Sequence, residues 1–335
     1  MNNSRIMLAC YDKGVGRALE SASGEWSIEY TLEGYRVTCL AEDPSNQGVV
    51  YAGTHDQGVW RSADYGKIWV ASGMQGQIVK SLAVSPVDSS LLFAGVKPAS
   101  VFRSRDGGRT WQEMEGFKRI PNRWWWFSPA EPPDMRPYVI ALALSPDDPD
   151  VLLAGVEFGG VFRSNDGGET WSRHLRGAVR DCHSLKFHPT EGDFVYQAGG
   201  SGGGASWSRD AGLTWQKAGR GLTKHYGIVC GTDRFDPERW YVCVGPSPGK
   251  AFGADPSSYL YRSDPVSGAW QPIGWEPHPL HSTPTALVPG DAGSGHLYAG
   301  LKDGQVWETR DGGETWSKLD FKLEGIWYSL LVLGA

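Results

Sequence analysis

Apolar and polar residues alternate along most of the chain in short runs, and the alternation returns in one recurring unit, clearest over Tyr138–His174: YVIALALSPDDPDVLLAGVEFGGVFRSNDGGETWSRH. A period of two predicts strands, and the Pro, Asp and Gly clusters between runs predict turns. The unit reads as an alternating stretch (ALAL), a Pro/Asp turn, a second strand (VLLAG), a Gly-containing link, a third strand (GVFRS), a tight turn and a fourth strand (TWSRH). The other complete copies begin near Arg36, Ile78, Asp181, Tyr226 and Ser282, and successive copies close on Trp69, Trp111, Trp171, Trp215, Trp270 and Trp316. Four strands in roughly 42 residues is the spacing of a propeller blade, because so small a sheet buries both faces only by stacking on its neighbours around an axis.

A further blade is split between the two ends. Residues 6–30 supply IMLAC, GVGRALE and EWSIEY, which match strands two, three and four, with no first strand before them. The tail Ile326–Leu333 (IWYSLLVL) is a first strand with nothing after it. Pairing tail with head closes the ring and removes the open sheet edges that a linear array would present. The expected fold is therefore all-β: a single seven-bladed propeller domain over residues 1–335, four antiparallel strands per blade. Two insertions, at 116–137 and 245–258, interrupt the repeat.

Composition agrees with this reading. Gly 45 and Trp 16 fit many short strands joined by glycine turns, with an aromatic packed into each unit. A net charge of −6 leaves no basic field to neutralise phosphates, which argues against nucleic acid and anionic membranes as partners. The N-terminal MNNSRIMLAC carries too short an apolar stretch for a signal peptide, and its Leu8-Ala9-Cys10 aligns with the second strand of the repeat. No apolar run reaches the ~18 residues of a membrane helix. Cys10, Cys39, Cys182, Cys230 and Cys243 are odd in number, lie at apolar strand positions and lack CxxC spacing. They read as free buried thiols in a reducing compartment, hence a cytoplasmic expectation.

The turn between strands three and four repeats as Ser104-Arg105-Asp106-Gly107-Gly108-Arg109-Thr110-Trp111 and again at Ser164–Trp171, with variants at Ser62–Trp69, Ser208–Trp215 and Thr309–Trp316. Degenerate copies occupy Ser263–Trp270 and Ser21–Trp26. This turn resembles the Asp-box (BNR repeat), S-x-D-x-G-x-T-W, of the sialidase-like and glycosyl hydrolase-like propeller superfamily. In such a box the Asp and Ser side chains bond the turn's own backbone, Gly takes a positive φ, and Trp fills the blade interior. Its role is structural. The same box occurs in sialidases, xyloglucan-cleaving enzymes, sortilin-type receptors and a photosystem II assembly factor, so the resemblance does not name one activity. The sialidase residue set is not found: Arg119-Ile120-Pro121 lies inside an insertion, where that family's motif does not belong.

In an up-and-down blade, the links between strands two and three share a face with the links between blades. Both insertions fall on that face, opposite the boxes, and long irregular loops tend to carry function. After the second strands it presents Asp12, His55, Lys97, Glu157, Ser201 and Lys302. At the mouth of the inner strands come Arg36, Lys80, Arg180 with Asp181 and His183, His225, His281, and Trp327 with Tyr328. His278 maps there too. Within the first insertion, Arg123-Trp124-Trp125-Trp126-Phe127 offers aromatic surface for stacking on sugar rings and an arginine for a carboxylate, or else a plug for its own loop.

Two functions follow as expectations. One is an enzyme that hydrolyses or eliminates on a carbohydrate or other small polar, acidic substrate at the axial opening. In it Glu157, His183 and His225 move protons, Tyr328 donates or attacks, and Asp12, His55, Lys80, Lys97, Arg123–Trp126, Arg180, His281, Lys302 and Trp327 bind substrate. The other is a non-catalytic binding or assembly module that anchors a protein or glycan partner on Trp124–Trp126. No motif calls for a cofactor. No ligand spacing such as HExxH marks a metal, and His183 and His225 are the ligands if a divalent ion is held.

Overall fold

The computed structural model describes residues 5–200, 203–264, 267–276 and 279–334; Ser201 and His278 lie outside the described residues. Seven antiparallel sheets stand around one axis. The first complete blade comprises Val37–Glu42, Val50–Thr54, Val59–Ser62 and Val70–Ala71, from the axis outward. The second comprises Ile78–Val84, Leu92–Lys97, Ser100–Ser104 and Gln112–Glu113. The tail strand Leu330–Gly334 pairs with Arg5–Tyr11 in the register Arg5↔Gly334 to Ala9↔Leu330, which completes the split blade and closes the ring.

Alternation along each strand decides which neighbour it packs on. Met7 and Ala9 sit in the apolar layer shared with Ala286, Tyr298 and Val306 of the sixth complete blade. Leu8 and Cys10, on the opposite face, join Val37, Leu40 and Val50 of the first. Each fully buried aliphatic side chain contributes about 1.5–3 kcal/mol. Close stacking also requires small residues: a Cβ on Gly95 would come 2.6 Å from Val139 Cγ1 of the next blade and 2.4 Å from Ser81 Oγ.

The Asp-boxes hold their turns as their residue types imply. Asp106 Oδ1 accepts from Ser104 Oγ at 2.8 Å and Thr110 N at 2.9 Å, and its Oδ2 accepts from Thr110 Oγ1 at 2.6 Å. Trp111 Nε1 donates to Gly108 O at 3.0 Å and to Ser72 O of the preceding blade at 2.8 Å, so this box also staples two blades.

Three details depart from the repeat. The third complete blade has only three laddered strands, Val139–Leu144, Leu152–Val156 and Gly160–Ser164. Its fourth segment still follows the edge, but Ser172 Oγ and His174 Nδ1 accept from Arg163 N and Val161 N in place of backbone carbonyls. The tail strand begins at Leu330 rather than Ile326, because Tyr328 takes φ 61°. Most consequential, every inner strand of the complete blades is bulged at one position, leaving Thr38, Lys80, Ile140, His183, Ile228 and Thr285 out of register. In the split blade, Trp327 N donates to Cys10 O and Cys10 N to Ser329 O, which makes Tyr328 the seventh such residue. A bulge re-aims a side chain; here it turns Thr38, Lys80, Ile140, His183, Ile228 and Tyr328 toward the axial mouth, while Thr285 stays buried and donates to Ile326 O.

Candidate functional site

The mouth that the bulges serve is a cavity of about 530 Å³. Thr38, Lys80, Ile140, His183, Ile228 and Tyr328 line it, and both insertions reach it, the first through Ala130 and Glu131, the second through Pro248 and Phe252. A larger hollow of about 850 Å³ opens at the box end of the axis. Its Arg5, Glu20 and Arg310 are tied into ion pairs with each other or with Glu308, whereas the insertion end brings an imidazole together with two buried carboxylates.

At that end Glu157, Asp181 and His183 bring one ligating atom each to within 4.8 Å of one another. Glu157 follows the strand Leu152–Val156 and is pinned by its backbone N–H to Tyr138 O at 3.0 Å. His183 occupies the bulge, where its Nδ1 lies 2.6 Å from Gly227 O. That contact makes Nδ1 the protonated nitrogen and turns Nε2 to the carboxylates, 3.4 Å from Asp181 Oδ1 and 3.8 Å from Glu157 Oε2. These are ion-pair distances without hydrogen-bond alignment: Asp181 Oδ1 is buried and has no hydrogen-bond partner.

Burial, the largest influence, pushes the Glu157 carboxyl up to about 7; Asp181 and Glu131 add to the shift, while His183 and Lys80 oppose it. Burial alone would push the His183 imidazole down, but Asp181 and Glu157 outweigh it and hold its pKa above the ordinary value. Two carboxyl groups facing one imidazole in a dry pocket floor share too little positive charge, and a proton or a cation must stay with them.

Around this floor stands a charged and aromatic rim. Lys80 is buried and reaches Glu131 at 2.5 Å; Lys97 is buried and reaches the same carboxylate at 2.9 Å. Both ammonium groups lie over the Tyr138 ring. Asp12, Arg36, Tyr226, Trp327 and Phe252 complete the wall. Tyr328 is 47 % exposed as a residue and lines the cavity. Desolvation there, with the charges of Glu157 and Glu131, pushes its pKa up to about 12 and keeps it a proton donor.

The cavity thus gathers Glu157, His183, Tyr328, Asp12, Lys80 and Trp327 from the candidates read in the sequence. The others stand elsewhere. Lys97 is spent on Glu131 and Asp134, and Lys302 donates to Phe252 O and lies over Trp327. Arg180 is exposed and donates to Phe158 O. His55 is half-buried, His225 is exposed, and His281 is exposed beside Glu276. Arg123 packs over Phe117 and Trp126 and donates to the carbonyls of Phe117 and Ala99. Trp126 belongs to the loop's own core with Phe117 and Phe162. Trp124 and Trp125 stack on each other at 4.2 Å and are 74 % and 61 % exposed.

Asp181 was read at the mouth without an assigned role, and Glu131 was not read at all. Asp181 had a usable signal, since it stands two residues before His183 on one strand edge. Glu131 had none, because it lies in a Pro-rich loop without periodicity. All five cysteines are buried and free. Among the described residues no helix is long and apolar enough to cross a membrane.

With fold and boxes in place, the chain is an Asp-box repeat β-propeller. The BNR/Asp-box repeat family model matches residues 162–173. No functionally curated protein matches the chain in sequence. Among solved structures it is similar to the GH74 xyloglucanase from Xanthomonas campestris, with a TM-score of 0.64 and 21% identity over 84% of this chain and 45% of that one. It is also similar to YCF48 from Cyanidioschyzon merolae, with a TM-score of 0.59 and 14% identity over 89% and 92%. A YCF48 bound to D1 peptide is similar at a TM-score of 0.56 and 15% identity over 85% and 82%. The chain therefore spans less than half of the xyloglucanase, and at these identities the likeness is one of fold.

Proposed function

We propose that the insertion-face mouth is the active site of a hydrolase or lyase for a carbohydrate or other small polar, acidic substrate. One observation carries this reading: Glu157 and His183 line an open cavity, and the buried Asp181 brings a carboxylate oxygen within 4.8 Å of both. Buried acid–base groups with surplus negative charge are rarely kept for stability, because each uncompensated charge costs several kcal/mol. Arg36 favours an anionic group on the substrate, while Trp327, Tyr226 and Phe252 offer ring faces for a sugar. Glu157 and His183 then stand where a proton is given or taken, and Tyr328 where a leaving or carbonyl oxygen accepts a hydrogen bond.

The test is a turnover screen with xyloglucan fragments, aryl glycosides and uronic-acid oligosaccharides. On any substrate found, Glu157→Gln and His183→Ala should each lower kcat/KM at least about a hundredfold with the melting temperature held. Full activity in both variants ends the reading.

A second reading rests on the stacked, exposed Trp124–Trp125 pair, with Phe127 also exposed beside it. This pair fits an anchor for a peptide or an extended glycan on the same face. A pull-down lost on replacing both tryptophans, without turnover of any substrate, favours it.

A further inference from the structure

We infer that Glu157, Asp181 and His183 form a binding site for one divalent transition-metal cation, with the open side of its coordination sphere facing the axial cavity. The residue types suit such an ion: one imidazole nitrogen and two carboxylate oxygens favour Zn²⁺, Mn²⁺ or Co²⁺ over the all-oxygen preference of Mg²⁺ and Ca²⁺.

Geometry supports this independently of residue type. The Nδ1–H of His183 is committed to Gly227 O, the outer-sphere contact that commonly fixes a ligating imidazole. It leaves the Nε2 lone pair facing Asp181 Oδ1 at 3.4 Å and Glu157 Oε2 at 3.8 Å. Lone pairs facing one another across such gaps repel unless positive charge lies between them. Two donors each about 2.1 Å from a tetrahedral ion are about 3.4 Å apart, the length of the His183–Asp181 gap, and Glu157 would draw in from 3.8 Å to complete the set. Asp181 Oδ1 is buried without a hydrogen-bond partner, although most buried carboxylate oxygens find a donor.

The local backbone keeps room for the carboxylate. A Cβ at Gly200 would fall 2.0 Å from Asp181 Oδ2 and 3.1 Å from His183 Cε1, so only glycine leaves Asp181 where it stands. A divalent ion would also balance the charge of two carboxylates and a neutral imidazole. Its free positions would accept water or an anionic substrate group beside Lys80 and Tyr328.

Metal binding is read without any substrate, so its failure is separable from failure of the assigned reaction. The experiment is calorimetric titration of tag-free, chelator-stripped full-length protein with Zn²⁺ alone, followed by Co²⁺ absorption spectroscopy. One equivalent should bind, the melting temperature should rise, and Co²⁺ should show the intense visible bands of a four- or five-coordinate site. Asp181→Asn and His183→Gln should each weaken Zn²⁺ by at least about tenfold, with circular dichroism confirming the fold. Glu157→Gln serves in place of either variant that does not fold. Absence of binding in the parent overturns the inference in favour of a proton held by the cluster. Stoichiometric binding that survives these substitutions overturns it in favour of a site elsewhere.

Discussion

Lys80, in the bulged inner strand of the second complete blade, meets Glu131 of the first insertion at 2.5 Å, and Lys97 of the same blade shares that carboxylate. The contact latches an irregular loop onto the rim of the cavity. Lys80 and Lys97 are nearly covered, with side chains 7% and 2% exposed, whereas Glu131 is 28% exposed. Removing the shared anion leaves the covered Lys80 without its ion-pair partner and Lys97 with Asp134 alone. Glu131→Gln should therefore lower stability by about 3 kcal/mol, the low end for a broken buried pair because Glu131 keeps some water contact. Urea denaturation reads this directly; a loss below about 0.5 kcal/mol would show that the loop is held by its aromatic core alone.

The aromatic run beside that latch divides into two kinds of residue. Trp126 packs on Phe117 and Phe162, and Trp126→Ala should destabilise by about 2–3 kcal/mol through the void it leaves. Trp124→Ala and Trp125→Ala should stay within about 0.5 kcal/mol of the parent, as exposed substitutions do. Equal losses from all three in thermal melts would contradict the division.

Acid should weaken the ring through Glu308, near the closure of the split blade. Burial resists its ionisation, but hydrogen bonds from His296 and Arg310 and the charge of Arg5 prevail and hold its pKa down at about 2, against an ordinary 4.5. A depressed folded-state pKa stabilises the fold above the unfolded value, and the stabilisation disappears as pH falls from 4.5 through 2. It is on the order of 3 kcal/mol. Glu308→Gln should flatten that part of the stability profile between about pH 5 and pH 2. An unchanged acid slope would assign acid sensitivity to other carboxylates.

Ring closure rests on the pairing of Leu330–Gly334 with Arg5–Tyr11. Deleting residues 326–335 also removes Ile326 and Leu330 from the layer against Met7 and exposes a strand edge. The truncated chain should lose its cooperative melt and self-associate. A monomeric truncate that melts as sharply as the parent would contradict closure by that strand.

These elements also show what the sequence made legible. Period-two runs and the Ser-x-Asp-x-Gly-x-Thr-Trp turns revealed blades and the split closure, because each box repeats the same local hydrogen bonds. The bulges left no such mark, since one extra residue within an alternating strand does not disturb its composition. Lys80 and His183 were therefore placed at the mouth without the reason for their aim. The ring position after the second strand was a poorer guide: Lys97 and Lys302 stand on it, yet neighbours within the fold engage both. Glu131 comes from a loop whose path is set by tertiary contacts alone.

Chemistry at the insertion-face mouth is tested most directly by a crystal structure of Glu157→Gln soaked with an oligosaccharide that the parent turns over. Sugar density is expected above Asp181 and His183, with a ring stacked on Trp327 or Tyr226 and its reacting bond within hydrogen-bond reach of residue 157. Density confined to the box-end hollow or to the outer Trp124–Trp125 surface, with the axial cavity holding only water, would contradict it.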